Sequence, residues 1–253
     1  MNDEISGAAG SSAARAEVRS ALRLVSSGDA AQRDSGPDDA TAPGASPADV
    51  PMGDPLRPEV PIIAILRAPR ADRFAAVAAV LHESGITAVE FTLTSAGALE
   101  AVQECAGFAH RIGVGSVLSA ADAERAVEAG AAYLITPAVI EEVIAAGRSL
   151  GVPVVSGAFT PTEIHRAWTA GSRMVKVFPA AVGGPGYIRA VRAPLPEIPL
   201  VPTGGVGLDE VRAYLEAGAA ALGIGSPLIG DACAGGDLDA LRERVRILRD
   251  QLS

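Results

Sequence analysis

Lysine is almost missing from this 253-residue chain, in which 20 of the 21 basic residues are arginine and only Lys176 is lysine. Because arginine stays protonated and is no nucleophile at neutral pH, chemistry that needs a side-chain amine has a single candidate. Cysteine is also scarce, with Cys105 and Cys233 the two present. They lie far apart without partners at metal-ligand spacing, so the sequence predicts neither a zinc site nor a disulfide framework.

Aromatic residues make up 4% of the chain and apolar residues 49%, so the core must consist mostly of Ala, Val, Leu and Ile. This composition is typical of buried parallel sheets. The net charge of -9 at pH 7 argues against a nucleic-acid partner. No apolar run reaches the roughly 18 residues of a membrane span, and residues 1–4 start no signal peptide, which predicts a cytoplasmic protein without a membrane partner. The histidines His82, His110 and His165 lack ligand spacing, so no metal is expected.

Residues 1–58 differ in composition from the rest of the chain. From residue 27 to 58 the sequence is rich in Pro, Gly, Ala, Ser and Asp and holds no aromatic residue. Such a segment buries too little apolar surface to offset chain entropy, so we predict a disordered tail. A short helix is predicted near 13–26, where Val18, Leu22 and Val25 have helical spacing. The predicted folded domain is 59–253.

From Val60 onward, short apolar runs alternate with Ala-rich segments of helical periodicity. Eight runs are present: Val60–Leu66, Ala88–Leu93, Ile112–Val117, Tyr133–Thr136, Val152–Ser156, Met174–Phe178, Leu200–Thr203 and Ala221–Gly225. Eight strand–helix units with continuous apolar strands predict an α/β fold, a (β/α)8 TIM barrel. A doubly wound open sheet is the alternative, but it usually has fewer repeats and a glycine-rich turn after the first strand. Here residues 67–70 are Arg-Ala-Pro-Arg.

Active sites of such barrels lie at the carboxyl ends of the strands, so the polar residues there carry the functional interpretation. Arg67, Ser116 and Thr203 lie at the ends of the first, third and seventh runs, while Glu90 and Lys176 lie inside the second and sixth. An amine flanked by Met, Val, Val and Phe should be desolvated, which favours its neutral form and a Schiff base with a carbonyl compound. The alternatives are a strand-end lysine that reaches solvent or contacts phosphate, and a buried Glu90–Lys176 ion pair without chemistry.

Two glycine-rich turns form a second candidate site. Gly204–Gly205 follows the seventh run and Gly225–Ser226 follows the eighth. Glycine lets backbone N–H groups approach an anion, and barrels often place a phosphate group at these two strand ends, so a phosphorylated ligand is predicted. Residues 183–186, Gly-Gly-Pro-Gly, are predicted to form a flexible loop that either closes on the same ligand or only connects two elements.

Seven ordered motifs run through the folded domain: Ile63–Arg67, Val89–Leu93, Gly113–Leu118, Ile135–Pro137, Val175–Pro179, Pro202–Val206 and Gly223–Ser226. Together they resemble the class I aldolases that cleave 2-keto-3-deoxy-6-phosphogluconate, with their 4-hydroxy-2-oxoglutarate and 6-phosphogalactonate relatives. The resemblance implies that Lys176 forms the Schiff base, that Glu90 is the general acid/base and that Ser116 contacts the substrate. It also implies phosphate contacts at the two glycine turns, a homotrimer and no cofactor.

One departure bears on the substrate. Gluconate-specific members usually carry an arginine four residues after the glutamate, where this chain has Thr94. Galactonate-type members have a small polar residue there and an arginine at the end of the first strand, as Arg67 is here, so Arg67 is expected to hold the substrate carboxylate. The implied reaction cleaves a 2-keto-3-deoxy-6-phospho sugar acid to pyruvate and an aldehyde such as glyceraldehyde 3-phosphate, with Thr203 holding a hydroxyl or carbonyl oxygen.

Two other functions stay open on the sequence. A sugar-phosphate epimerase or a thiazole-phosphate condensing enzyme would share the glycine turns but would need no iminium. A non-catalytic barrel that binds a sugar acid would use the long N-terminal tail as its partner site.

Overall fold

The computed structural model describes Leu56, residues 59–105 and residues 112–252. The helix predicted near 13–26 and nearly all of the predicted tail lie outside these described residues, so both stay predictions. Leu56 belongs to the predicted tail, yet it is only 3% exposed and packs in the barrel interior.

Parallel strands alternate with helices along the described chain. The strands are β1 (Ile62–Leu66), β2 (Ala88–Thr92), β3 (Ile112–Gly115), β4 (Tyr133–Ile135), β5 (Val154–Ala158), β6 (Met174–Val177), β7 (Leu200–Pro202) and β8 (Leu222–Ile224). The α-helices are α1 (Phe74–Glu83), α2 (Ala98–Glu104), α3 (Ala120–Glu128), α4 (Glu141–Leu150), α5 (Pro161–Thr169), α6 (Gly184–Arg192), α7 (Val211–Glu216), α8 (Ser226–Ile229) and α9 (Leu238–Leu252). Single 3-10 turns occupy Ala180–Val182, Leu208–Glu210 and Ala232–Ala234. Each predicted apolar run overlaps one strand.

The strands form one sheet in the order β7-β6-β5-β4-β3-β2-β1-β8. A parallel bridge between Thr203 and Gly223 joins the two outer strands and brings the sheet round into a barrel. The predicted (β/α)8 architecture is therefore confirmed. Because all ladders are parallel, the carboxyl ends of the strands meet at one end of the barrel, where we expect the functional residues.

Two apolar clusters hold the barrel together. The inner one fills the barrel and comprises Leu56, Ile63, Ala88, Tyr133, Ile135, Val155, Met174, Val201 and Ala221. The larger outer one lies between the strands and the helices and includes Val175 and Val177 of β6. Since successive side chains of a strand point to opposite faces, Met174 and Lys176 point inward.

Glycine on β3 makes room for two large inward side chains of neighbouring strands. A Cβ atom on Gly113 would overlap the ring of Tyr133, and one on Gly115 would overlap the carboxyl group of Glu90. Tyr133 uses its space to donate its hydroxyl to the carbonyl oxygen of Val89 at 2.9 Å. The small residues of β3 thus shape both the interior packing and the floor of the site above it.

The prediction of a flexible loop at residues 183–186 is wrong. A 3-10 turn ends at Val182, and α6 begins at Gly184 with Pro185 in its first turn, where proline's missing N–H costs no hydrogen bond. The ring of Tyr187 stacks on Phe159 with centroids 5.3 Å apart, and its hydroxyl donates to the carbonyl oxygen of Phe159. These contacts fix the start of α6, and residues 183–186 do not line the cavity described below.

Over the described ranges, no helix is both long and apolar enough for a bilayer crossing.

Candidate active site

A cavity of about 510 Å³ opens at the carboxyl ends of the strands. All predicted site residues line it: Lys176, Glu90, Arg67, Ser116, Thr203, Gly204, Gly205, Gly225 and Ser226. Further lining comes from Ile65, Thr92, Pro137, Phe178, Val206, Gly223, Pro227, Ile229 and Gly230. Residues that are up to 165 positions apart in sequence, from Ile65 to Gly230, therefore face one space.

Lys176 and Glu90 form the only ion pair of the described residues in which both side chains are largely buried. The Lys176 Nζ atom lies 3.8 Å from Glu90 Oε2, and the two side chains are 12% and 2% exposed. Nζ also lies 5.6 Å from the centre of the Phe178 ring, which follows β6. The amine is thus confined between a carboxyl group and an aromatic ring, with limited access to solvent.

The interactions of the buried Glu90 carboxyl group only partly offset the free-energy cost of its burial. Within the described part of the chain, Oε2 has no hydrogen-bond partner. Burial raises the pKa of Glu90, and the charge of Lys176 opposes this shift without cancelling it. A carboxyl group with a raised pKa beside an amine is suited to exchanging protons with a bound molecule.

Arg67 and Ser116 reach the cavity from opposite sides of Glu90. Arg67 follows β1 directly and is exposed, so its guanidinium group is available to an anionic ligand. Ser116 follows β3 with φ 61°, a left-handed conformation that is uncommon for residues other than glycine. Such strained backbone is concentrated at ligand sites, which fits the position of Ser116 at the cavity wall. Thr94 is exposed but does not line the cavity.

The turn after β7 is fastened to the turn after β6. Gly204 and Gly205 have φ 88° and φ 77°, which favour glycine. The N–H of Ala180 donates to Thr203 O at 2.8 Å, and the N–H of Ala181 donates to Gly204 O at 3.0 Å. The hydroxyl of Thr203 donates to Val201 O at 3.1 Å, so only its oxygen lone pairs remain for a ligand.

The turn after β8 is held by the last helix. Gly225 precedes α8, and Ser226 is its first residue and is exposed. Arg244 of α9 donates from Nε to Leu228 O at 2.7 Å and from Nη2 to Ile229 O at 2.8 Å. The guanidinium group thereby ties the end of α8 to α9 and holds the turn that faces the cavity.

Sequence reasoning missed the contacts that organise this end of the barrel. The sequence indicates Phe178 only as an apolar flank of Lys176, although it is part of the cavity wall. Ser95, a buried residue behind the cavity, bonds to the loop after β1, as described below. The signal was present for Phe178, which lies two residues after Lys176 and therefore on the same face of an extended strand, but Ser95 lies in a turn without periodicity.

The comparisons with known proteins agree with this geometry. The family model of the KDPG and KHG aldolases matches residues 55–243. A probable 2-dehydro-3-deoxy-6-phosphogalactonate aldolase of Rhizobium meliloti (strain 1021) is 35% identical over 189 residues, covering 73% of this chain and 89% of that protein.

Two solved structures are similar as well. A native KDPGal structure has a TM-score of 0.72 and 30% identity, over 78% of this chain and 96% of that chain. A KDPG aldolase from Legionella pneumophila, with pyruvate captured as a covalent carbinolamine intermediate, has a TM-score of 0.65 and 26% identity, over 75% of this chain and 94% of that chain. The matched region of the family model includes every strand and every residue that lines the cavity. The chain therefore belongs to the KDPG and KHG aldolase family.

Proposed function

We propose that the protein is a class I aldolase that reversibly cleaves a 2-keto-3-deoxy-6-phospho sugar acid to pyruvate and an aldehyde. One observation carries this proposal: the chain's single lysine lies at the barrel mouth, 3.8 Å from a buried carboxyl group. Membership of the aldolase family supports it, as does the similarity to an aldolase that holds pyruvate as a carbinolamine.

In the proposed mechanism, the neutral amine of Lys176 attacks the C2 ketone of the substrate. The carbinolamine loses water and leaves an iminium, which accepts the electron pair of the C3–C4 bond when that bond breaks. Glu90 takes the proton of the C4 hydroxyl, directly or through one water, and the aldehyde departs. The enamine is then protonated at C3, and water hydrolyses the iminium to pyruvate and the free amine.

The position of Glu90 suits this proton transfer. A carboxyl group with a raised pKa is a stronger proton acceptor when ionised and holds a proton closer to neutral pH, so it serves both directions of the reaction. No step requires a metal or a cofactor, because the iminium is the electron sink.

The remaining lining residues are proposed to bind the substrate. Arg67 would pair with the carboxylate, and the Ser116 hydroxyl would contact a hydroxyl or carbonyl oxygen of the substrate. The Thr203 oxygen, whose own proton goes to Val201 O, would accept from a substrate hydroxyl. The 6-phosphate would lie against the two glycine turns, at Gly204, Gly205, Gly225 and Ser226. Their location on one side of the cavity, next to β7 and β8, supports this division of the site.

We further propose a substrate of the galactonate type, because Arg67 lines the cavity whereas Thr94 does not. The C4 epimers 2-keto-3-deoxy-6-phosphogalactonate and 2-keto-3-deoxy-6-phosphogluconate separate the two branches. We expect kcat/KM for the galactonate compound to be at least about tenfold higher, because the two compounds differ only at the C4 hydroxyl and one pocket contact to that group supplies such a discrimination. Pyruvate release from each compound measures the ratio, and a preference for the gluconate compound would refute this assignment.

We also propose a cytoplasmic homotrimer. The exposed apolar side chains of Leu118 and Val182 follow β3 and β6 at the carboxyl end of the barrel and do not line the cavity, so contact with a second copy would cover them. Size-exclusion chromatography with light scattering at micromolar concentration of the full chain would detect a trimer, and a monomer under these conditions would contradict it.

Borohydride reduction in the presence of pyruvate tests the aldolase function. We expect one pyruvate adduct per chain by intact mass, together with loss of activity, because reduction makes the iminium permanent. Since the chain holds one lysine, peptide mapping needs to distinguish only Lys176 from the N-terminal amine. Borohydride without pyruvate is the control.

The outcome also separates the rival functions. A folded protein that gives no adduct would refute the Schiff base and favour an epimerase, which needs no iminium. An adduct at Lys176 without cleavage of any sugar acid would favour a barrel that only binds its ligand.

A further inference from the structure

The backbone on both sides of Arg67 is held by two buried hydroxyl groups. We infer that Thr92 and Ser95 are positioning residues that set Arg67 for the substrate carboxylate, through a directed chain of hydrogen bonds between the two peptide groups that flank it. This inference rests on the proposed function, in which Arg67 binds that carboxylate.

Three hydrogen bonds make up the chain. The N–H of Ala68 bonds to Ser95 Oγ at 3.1 Å. Ser95 Oγ lies 3.2 Å from Thr92 Oγ1. Thr92 Oγ1 donates to Leu66 O at 3.2 Å. The chain therefore begins at the peptide group after Arg67 and ends at the peptide group before it.

The direction of these bonds follows from the chemistry of the groups. A carbonyl oxygen only accepts, so the single proton of the Thr92 hydroxyl goes to Leu66 O. A backbone N–H only donates, so Ser95 Oγ accepts from Ala68 and gives its own proton to Thr92 Oγ1. Both hydroxyl protons are then used, which leaves Thr92 unable to donate to a ligand although it lines the cavity.

Burial makes this arrangement costly to break. Thr92 and Ser95 are 4% and 2% exposed, whereas Arg67 is exposed. A buried polar group that loses its partner costs the desolvation free energy of that group. Among the residues that the structure describes, no hydrogen bond or ion pair holds the exposed Arg67 side chain, so the two hydroxyls supply the order that its backbone needs.

The loops after β1 and β2 are also joined by backbone hydrogen bonds that do not involve the Thr92 and Ser95 hydroxyls. The N–H of Ala71 donates to Ala96 O at 2.9 Å, and the N–H of Ala96 donates to Pro69 O at 3.1 Å. Removal of one hydroxyl should therefore leave the fold intact and loosen only the segment around Arg67. Such a local change separates positioning from general stability.

Exchange of the pyruvate methyl protons for deuterium, followed by NMR, is the assay, because enamine formation at Lys176 makes these protons exchangeable. We expect Ser95→Ala and Thr92→Val each to raise the KM for pyruvate roughly tenfold, the effect of losing one hydrogen bond between Arg67 and the pyruvate carboxylate. The kcat should stay within about twofold of wild type. A carboxylate contact is made equally in ground and transition states, so it changes KM rather than kcat. Ser95→Thr retains the hydroxyl, so its KM for pyruvate should stay close to that of the wild type.

Two comparisons distinguish this role from a structural one. Ser172→Ala removes an equally buried hydroxyl, 3% exposed and bonded to Ser156 N at 2.9 Å, from the opposite end of the barrel. It should lower the melting temperature without changing the KM for pyruvate. In an Arg67→Gln background, Ser95→Ala should add less than about twofold to the KM, because residues that act as a unit are not additive.

The results that would overturn the inference are equally specific. An unchanged KM in both Ser95→Ala and Thr92→Val, or a full tenfold effect of Ser95→Ala in the Arg67→Gln background, would show that the hydroxyls do not act through Arg67. If Ser95→Ala fails to fold, Thr92→Val decides, since its shape is conserved. Absence of exchange in the wild-type protein would overturn the aldolase function first, and this inference with it.

Discussion

Replacing Lys176 by arginine is expected to abolish aldol cleavage, with kcat at least about 10^4-fold lower, the scale on which loss of an enzyme's nucleophile acts. Arginine keeps the positive charge near Glu90 but presents no neutral nitrogen that can attack a ketone. The substitution therefore removes the nucleophile and retains the ion pair. Pyruvate release from the sugar acid, followed with a coupled dehydrogenase, measures the loss.

Chemical rescue makes this prediction specific. Lys176→Cys followed by alkylation with bromoethylamine places an amine at nearly the same distance from the backbone. The native thiols should interfere little, because burial raises the pKa of Cys105 and of Cys233 to about 11 each and the thiolate is the reactive form. We expect the alkylated variant to regain turnover and to form the borohydride adduct again.

Lys176→Met is the matched control for charge. If the ion pair alone supported activity, arginine would retain much of the turnover and methionine would not. Equal inactivity of both variants, with rescue by the alkylated cysteine, is the result that the Schiff base requires. Turnover of Lys176→Arg within tenfold of wild type would refute the mechanism.

The barrel fold could be predicted from the sequence because its strands are buried on both faces. Eight continuous apolar runs with helical segments between them, in a single domain of this length, are typical of a (β/α)8 barrel. The inward orientation of Lys176 also follows from the strand period, since Val175 and Val177 belong to the outer core. Because the strands pair in parallel, the sequence alone then predicts that Arg67, Glu90 and Lys176 lie at the same end of the barrel.

Other features depend on contacts that no local pattern encodes. The glycine segment at 183–186 begins a helix because Tyr187 stacks on Phe159, a residue from another unit of the barrel. Leu56 lies in a segment of tail-like composition, yet it packs inside the barrel. The hydrogen bond between Ser95 and Ala68 joins residues 27 positions apart, and no local sequence pattern pairs them.

Glu90→Gln is expected to lower kcat about 10²- to 10⁴-fold, the usual contribution of a general acid or base. Glutamine has the same shape, so it keeps the space that Gly115 leaves for the side chain. It neither accepts nor returns the C4 hydroxyl proton. Single-turnover cleavage should slow, while the borohydride adduct with pyruvate should still form, because Lys176 is intact. Loss of the adduct as well would mean that Glu90 chiefly maintains the amine.

The same substitution should remove a pH dependence of stability. Burial raises the pKa of Glu90 in the folded protein above that of the unfolded chain, which is about 4.3 for glutamate. Between these two values the unfolded chain has lost the proton and the folded protein keeps it, so the free energy of unfolding falls as pH rises. Glutamine does not titrate. The stability of Glu90→Gln relative to wild type should therefore rise across this interval, by at most about 1.4 kcal/mol per pH unit.

Glu163→Gln gives the opposite sign and serves as the control. The Glu163 carboxylate accepts from the N–H groups of Thr160 and Phe159 at 2.7 and 2.9 Å, and these bonds lower its pKa. Its stabilisation is present above the unfolded pKa and is lost on acidification. Urea unfolding of both variants from pH 3 to pH 8 checks the two signs. Stability relative to wild type should fall for Glu163→Gln as pH rises to about 4.3, and should rise for Glu90→Gln above about that pH. A Glu90→Gln curve that stays flat above about pH 4.3 would mean that Glu90 is ionised in the folded protein throughout, and a buried carboxylate held by Lys176 alone would then have to act only as a base.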